Sequence, residues 1–220
     1  VDQADAWLMQ LRHDGAMSDD LPSHGETLMA FLDVLEARIA NQQALLGHST
    51  GWPSLDDLTS GLVAGDLIVV AGPTGGGKSA SGLNGALAVA KAGAPVIYAS
   101  LEMSRQQLQY RMASAESGVT HFKVRKGWLN PAELELVCVA MAKTANLPLY
   151  IDDRARMTVP HLRGRCRRLA TAAPLGLVVV DYVQLMMPTA PSRDGNKPAE
   201  LASIVHELKL LANELQGPVL

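Results

Sequence analysis

Between residues 67 and 181 the chain repeats one pattern: a short run of β-branched and aliphatic residues, a polar break, then a longer stretch whose apolar positions recur every three or four residues. The short runs, Leu67–Gly72, Val96–Leu101, Leu149–Asp152 and Leu175–Asp181, predict strands. The longer stretches between them predict helices. One of these starts with Asn130 as its cap, Pro131 in the first turn and Glu133 beside the helix dipole, and another follows Thr158 and Pro160. Strands alternating with helices predict an α/β fold, a mostly parallel sheet with helices on both faces.

Ahead of this block, Ser23 and Glu26 stand at capping-box spacing, and Leu28, Phe31, Leu32, Leu35 and Ile39 recur at helical period. An amphipathic helix is expected there. Its apolar stripe packs on its own domain or on a neighbouring subunit, and sequence physics weighs the two equally. Residues 1–22 mix a short amphipathic stretch with acidic and turn residues and read as an arm or tether. The division expected is therefore an arm over 1–22, a linker helix and connector over 23–49, and an α/β domain over 50–220.

The most informative break is "GPTGGGKS". Gly72, Gly77, Lys78 and Ser79 satisfy the GxxxxGKS spacing of a phosphate-binding loop, directly after one predicted strand and before a predicted helix. Glycines let successive backbone N–H groups converge on an anion, and the following helix adds the positive end of its dipole. Gly72, Pro73, Thr74, Gly75, Gly76, Gly77, Lys78 and Ser79 are thus the candidate cradle for a nucleoside triphosphate such as ATP. Lys78 is placed to reach the β and γ phosphates, and Ser79 to offer a hydroxyl to Mg²⁺.

A parallel sheet presents its ligands at the carboxyl ends of its strands, so the residues that follow the other strands carry weight. Asp181 ends the run "LVVVD" and suits the second ligand position around Mg²⁺; capping the strand is the plainer alternative. Glu102, in "SLEMS", is the candidate base for an attacking water, against the plainer reading of a local pair with Arg105. Asp152 and Asp153 suggest only hydrogen bonding. The arginines at 163, 165, 167 and 168 flank the stripe Leu162, Cys166 and Leu169, which favours a solvated helix face over a nucleic-acid patch. The loop "PTAPSRDGNKPAE" is long for a compact domain, and Arg193 and Lys197 in it are candidate contacts to a phosphodiester backbone.

Composition limits this picture without changing it. The 220 residues are 48% hydrophobic and 4% aromatic, which suits an aliphatic sheet under Ala- and Leu-rich helices. The net charge of −3 leaves no global basic footprint, so DNA contact would need a local patch or cations pooled from several copies. Cys138 and Cys166 have no metal-ligand spacing and suggest no disulfide, with core packing the expectation for Cys166. No run approaches membrane-spanning length and no signal peptide is visible, so a cytoplasmic location is expected.

Together, "TGWPSLDDLTSGLVAGDLIVVAGPTGGGKSA", "SLEMSRQQLQYRM", "LYIDD", "VVVDYVQLM" and "ELKLLANELQGPV" resemble the hexameric replicative DNA helicases of the DnaB type, over about residues 23–220. The resemblance implies a RecA-like ATPase fold and ATP hydrolysis coupled to movement on single-stranded DNA. It implies that Lys78 and Ser79 bind nucleotide and Mg²⁺, that Glu102 is the catalytic glutamate, and that Asp181 lies on the metal side. It further implies a homo-oligomeric, typically hexameric ring, a linker helix docked on the adjacent subunit, a channel loop after "DYVQLM", and primase or a helicase loader as partner. The loop reads "PTGGGKS" where the family more often has Ser-Met-Gly-Lys-Thr, and Val205 and His206 stand where a Ser-Arg pair is common. The family's glutamine sensor and trans-acting arginine lie beyond Leu220, so an incomplete domain with weak hydrolysis on its own is expected. The rival readings are another RecA-like ATPase of recombination or repair, and an ATP-binding loader or regulator.

Overall fold

A computed structural model describes residues 23–40, 45–190 and 196–220. The chain divides into a unit spanning Val1–Ala44 and one spanning Leu45–Leu220. In the first, helix α1 (His24–Ala40) starts where the capping box predicts: Ser23 N donates to Glu26 Oε2 at 2.6 Å, and Glu26 N donates to Ser23 Oγ at 3.3 Å. The bond from the Ser23 backbone, followed by that involving its side chain, holds the Glu26 carboxyl below the usual glutamate value. No residue of α1 is buried, and Phe31, Leu35 and Ile39 on its stripe are exposed. The arm expected over 1–22, and Arg193, lie outside the described residues.

The second unit is built on a parallel sheet of β1 (Val96–Ser100), β2 (Leu149–Asp152) and β3 (Leu177–Asp181) in the order β2-β1-β3, with Val96 level with both Leu149 and Leu177. Every residue of β1 is buried, as a central strand covered on both faces requires. Val96, Tyr98, Leu177 and Val179 face a core shared with Leu83, Ala86 and Ala90 of α3 (Lys78–Lys91) and Leu108 and Met112 of α4 (Arg105–Ser117). Ile97, Ala99 and Val178 face the opposite core, built with Leu162 and Cys166 of α7 (Val159–Ala170) and Leu208 and Leu211 of α8 (Lys197–Leu215). Burial pushes the Cys166 thiol up to about 12, so the residue acts as a core apolar group, as expected.

Between these elements lie α2 (Pro53–Thr59), α5 (His121–Lys126) and α6 (Pro131–Thr144). The predicted Asn130 cap is present: its Oδ1 accepts from Glu133 N at 2.8 Å, and Glu133 Oε2 returns to Asn130 N at 3.1 Å. Thr158 likewise caps α7. No described helix is long and apolar enough to cross a membrane.

One predicted strand does not form as such. Leu67–Gly72 makes a single parallel bridge, Leu67 to Val219, with Ile68 N donating to Val219 O at 2.8 Å. The segment 218–220 lies between this run and β3, since Leu220 N donates to Val178 O and Val180 N to Leu220 O, each at 2.8 Å. Pairing along the run therefore goes through Val219, and no described residue continues the ladder beside Val69 and Val70, which are 68% and 48% exposed. An apolar run becomes a strand only where a neighbour matches its length.

Candidate active site

The phosphate loop begins at this short bridge. Gly75 and Gly77 have φ of 79° and 88°, where a Cβ would collide with the following carbonyl. Gly76 N donates to Pro73 O at 3.0 Å and tightens the turn. Gly77 is the N-cap of α3 and offers no side chain, so the first N–H groups of the helix are left for an outside acceptor. Gly72 is different: its φ is ordinary, and a Cβ there would meet only Lys78 Cγ at 3.9 Å. Neither conformation nor crowding by the protein asks for glycine at 72.

Lys78 and Ser79 open α3. Lys78 Nζ donates to the carbonyl oxygens of Gly72 and Pro73 at 2.8 and 2.9 Å, which holds the ammonium over the loop. Ser79 Oγ donates to Asp181 Oδ1 at 3.1 Å, 102 residues away. Asp181, 6% exposed at the end of β3, also accepts from the Tyr98 hydroxyl at 2.8 Å through Oδ2. Burial, then the charge and hydrogen bond of Asp181, push the phenol well above its ordinary value, with Arg111 acting the other way. At neutral pH Tyr98 is therefore a permanent donor.

Leu101 N donates to Asp181 O at 2.8 Å, which places the residue after β1 beside the end of β3. Glu102 follows on a bend held from both sides. Ser100 Oγ donates to Met103 O at 2.6 Å, and Ser104 caps α4 in a box with Gln107. The Glu102 side chain is exposed and lines the same cleft, of about 740 Å³, as Gly72, Lys78 and Ser79. The pair with Arg105 does not form. Arg105 N donates to Asp153 Oδ2 at 2.9 Å, and its guanidinium reaches Ile151 O at 3.1 Å.

Two residues that the sequence reading did not single out line this cleft, Gln107 and Arg111. They are one helical turn apart on α4, and that i, i+4 spacing downstream of "SLEMS" is the signal that points to them. Arg111 Nε is buried and has no hydrogen-bond partner among the described residues. Its side chain lines the cleft, which makes Arg111 a candidate partner for phosphate oxygens.

Other candidates stand elsewhere. Lys197 begins α8, and its Nζ pairs with Glu200 Oε2 at 3.1 Å. Of the arginine cluster, Arg163 and Arg167 reach Glu214 of α8 at 3.2 and 2.6 Å, and Arg165 reaches the buried Asp152 at 2.8 Å. Three of the four thus tie elements together, while Arg167 and Arg168 stay exposed on the expected solvated face. A second cleft, about 700 Å³, runs along the outer side of β2 and is lined by Arg105, Arg165 and Arg168. It has no carboxylate and no glycine loop, so the chemistry points to the first.

Two residues at that first cleft could contribute to holding a metal, Ser79 and, behind it, Asp181. No cluster of three or more His, Cys, Asp or Glu able to hold an ion exists among the described residues. Ser79 and Asp181 together supply one hydroxyl and one carboxylate. That meagre set fits Mg²⁺, which keeps several waters and draws further ligands from a bound polyphosphate.

The DnaB-like helicase C terminal domain family matches residues 47–220. The replicative DNA helicase DnaB of Geobacillus stearothermophilus is 36% identical over 224 residues, covering 100% of this chain and 48% of that protein. The replicative DNA helicase DnaB of Leifsonia xyli subsp. xyli is 37% identical over 196 residues, covering 89% and 42%. The chain thus spans about half the length of the curated relatives it matches. Among solved structures, a DnaB-like replicative helicase studied with its interactions with primase superposes with a TM-score of 0.78 at 22% identity, covering 100% of this chain and 52% of that one. A separately solved ATPase domain gives 0.82 at 22% identity, covering 91% and 70%. The fold is that of these RecA-like ATPase domains.

Proposed function

The chain belongs to the DnaB-like helicase C-terminal domain family, and from that premise we propose that it is an ATP-dependent motor of a replicative DNA helicase. The observation that carries the reading is the 3.1 Å hydrogen bond that ties buried Asp181 to Ser79, which lines one cleft with Gly72, Lys78 and Glu102. ATP is the substrate. The N–H groups of the loop from Gly72 to Gly77 and the start of α3 bind its β and γ phosphates, and Lys78 exchanges its two carbonyl partners for phosphate oxygens. Ser79 and, through water, Asp181 would hold Mg²⁺, which would supply neutralisation of charge on the phosphates. Glu102 accepts the proton of the attacking water from across the cleft, and Arg111 steadies the terminal phosphate.

Energy from hydrolysis drives translocation along single-stranded DNA and separation of the duplex. A ring of copies, six by family habit, sets each nucleotide at a head-to-tail contact, and α1 docks on the neighbouring copy with its exposed apolar stripe. Arg193 and Lys197, the latter at the start of α8, are the residues assigned to contact the strand's backbone. Pooled cations reconcile an acidic chain with a DNA ligand. Primase or a helicase loader is the partner proposed, and the cytoplasm the site of action.

Nucleotide titration and ATP turnover with and without single-stranded DNA test this reading. Lys78→Ala is expected to weaken Mg-ATP binding about a hundredfold, the scale of losing charge-assisted contacts to phosphate. Unchanged affinity in that variant would refute the cleft as the nucleotide site.

A further inference from the structure

Tyr98 is an unusual resident of β1. Its strand neighbours Val96, Ile97 and Ala99 are aliphatic, and its own side chain is 0% exposed. The hydroxyl nonetheless ends on a charged partner, 2.8 Å from Asp181 Oδ2, with the Ser79 carbonyl oxygen 3.4 Å away. Facing it, the interior of α3 carries Gly82, although glycine weakens a helix interior by about 1 kcal/mol relative to alanine. Gly82 has no positive φ to explain it. A Cβ there would stand 3.3 Å from Val179 Cγ1, 3.5 Å from the Tyr98 hydroxyl oxygen and 3.8 Å from its Cε2. The missing side chain lets α3 lie close to β3 and β1, with the tight contact falling on Val179 and the phenol tip at ordinary van der Waals distance.

We propose that Tyr98 is a positioning residue for Asp181: its hydroxyl holds Oδ2 inward and so turns Oδ1 toward Ser79 and the metal side of the cleft. The inference rests on the Mg-nucleotide reading above and deepens it. An aspartate carboxylate rotates in a broad, roughly two-fold well, so a single donor behind one oxygen selects which edge the other presents. Outer hydrogen bonds of this kind govern how well a ligating carboxylate binds, and their loss costs about 10–100-fold in metal affinity.

Tyr98→Phe in the whole chain keeps the ring and removes the donor. Affinity for a fluorescent ATP analogue is measured in EDTA and across a Mg²⁺ titration, alongside thermal unfolding. The metal-free affinity is expected to stay within about twofold, while the Mg²⁺ needed for half-maximal tightening rises about tenfold. On an Asp181→Asn background the same change is expected to add nothing, because Tyr98 acts through Asp181. If Tyr98→Phe folds poorly, Tyr98→His, which keeps a ring with a donor, decides the matter: it is expected to keep a lower Mg²⁺ requirement than Tyr98→Leu, and equal requirements in the two overturn the proposal. An unchanged Mg²⁺ requirement in a folded Tyr98→Phe protein overturns the proposal, as does an equal further loss on the Asp181→Asn background. If the parent itself binds nucleotide with no response to Mg²⁺, the metal reading fails and takes this inference with it, a result distinct from a responsive parent with an indifferent variant.

Discussion

The two walls of the cleft are built on different terms. Behind one, where Ser79 lines the cleft, Asp181 is buried at the end of β3 with a donor on each oxygen, and Ser79 and Tyr98 supply those donors from α3 and β1. On the other, Glu102 is exposed on a bend whose backbone is braced by Ser100 and Ser104 while its carboxylate faces the cleft. A buried carboxylate must be matched by the fold before any ligand arrives, because leaving it unmatched costs several kcal/mol, on the order of the desolvation of the group. An exposed one carries no such penalty and is free to answer to the substrate. The Asp181 side is thus part of the domain's stability, and the Glu102 side is nearly independent of it.

The contrast is broken most sharply by Glu102→Gln. Turnover in a single-turnover assay is expected to fall by about 10²–10⁴, the range for loss of a general base, with Mg-ATP affinity within about threefold of the parent. An effect on melting comparable to that on rate would erase the distinction between the walls.

Gly77→Ala probes the hinge of the fixed wall. With φ at 88°, alanine there is strained by about 1–2 kcal/mol. Both melting temperature and nucleotide affinity are expected to drop, whereas a change in affinity alone would place the loop on the adaptable side.

Asp56 sharpens the contrast from outside the cleft. It is 6% exposed; burial works to raise its pKa, and donors from Ser49 and Thr50 outweigh that and hold the carboxyl below its ordinary 3.8. A depressed carboxylate contributes stability that is fully present above its unfolded value and is lost as pH falls through the folded one. Asp56→Asn is expected to cost about 1–3 kcal/mol in urea unfolding near pH 7, with no effect on hydrolysis per folded molecule. That cost should narrow once the pH drops below 3.8. A gap that stays constant through that range would show that the charge is not what the site is built around.

How far the sequence reaches follows the same division. Local signals were legible: the Asn130 and Ser23 capping boxes, the β1, β2 and β3 runs and the glycine loop all stand where periodicity and turn chemistry put them. Features made by distant segments were not. Leu67–Gly72 reads as a strand from its own residues, but strand formation depends on Val219, which pairs with it at one position. Tyr98 reads as one more buried position, since nothing near it in sequence announces a carboxylate 83 residues on. The arginines of α7 read as a wet face because Glu214 and Asp152, their partners, come from other elements.

The central claim is that one cleft holds the triphosphate, its metal and the hydrolytic base. The direct measurement is a crystal structure of the chain with Mg²⁺ and a non-hydrolysable ATP analogue. The account predicts Mg²⁺ about 2.0–2.1 Å from Ser79 Oγ, Asp181 in or one water from its shell, and the Glu102 carboxylate on the water side of the γ phosphorus. A nucleotide seated elsewhere, or one bound at the loop with Glu102 turned away from the γ phosphate, would contradict it.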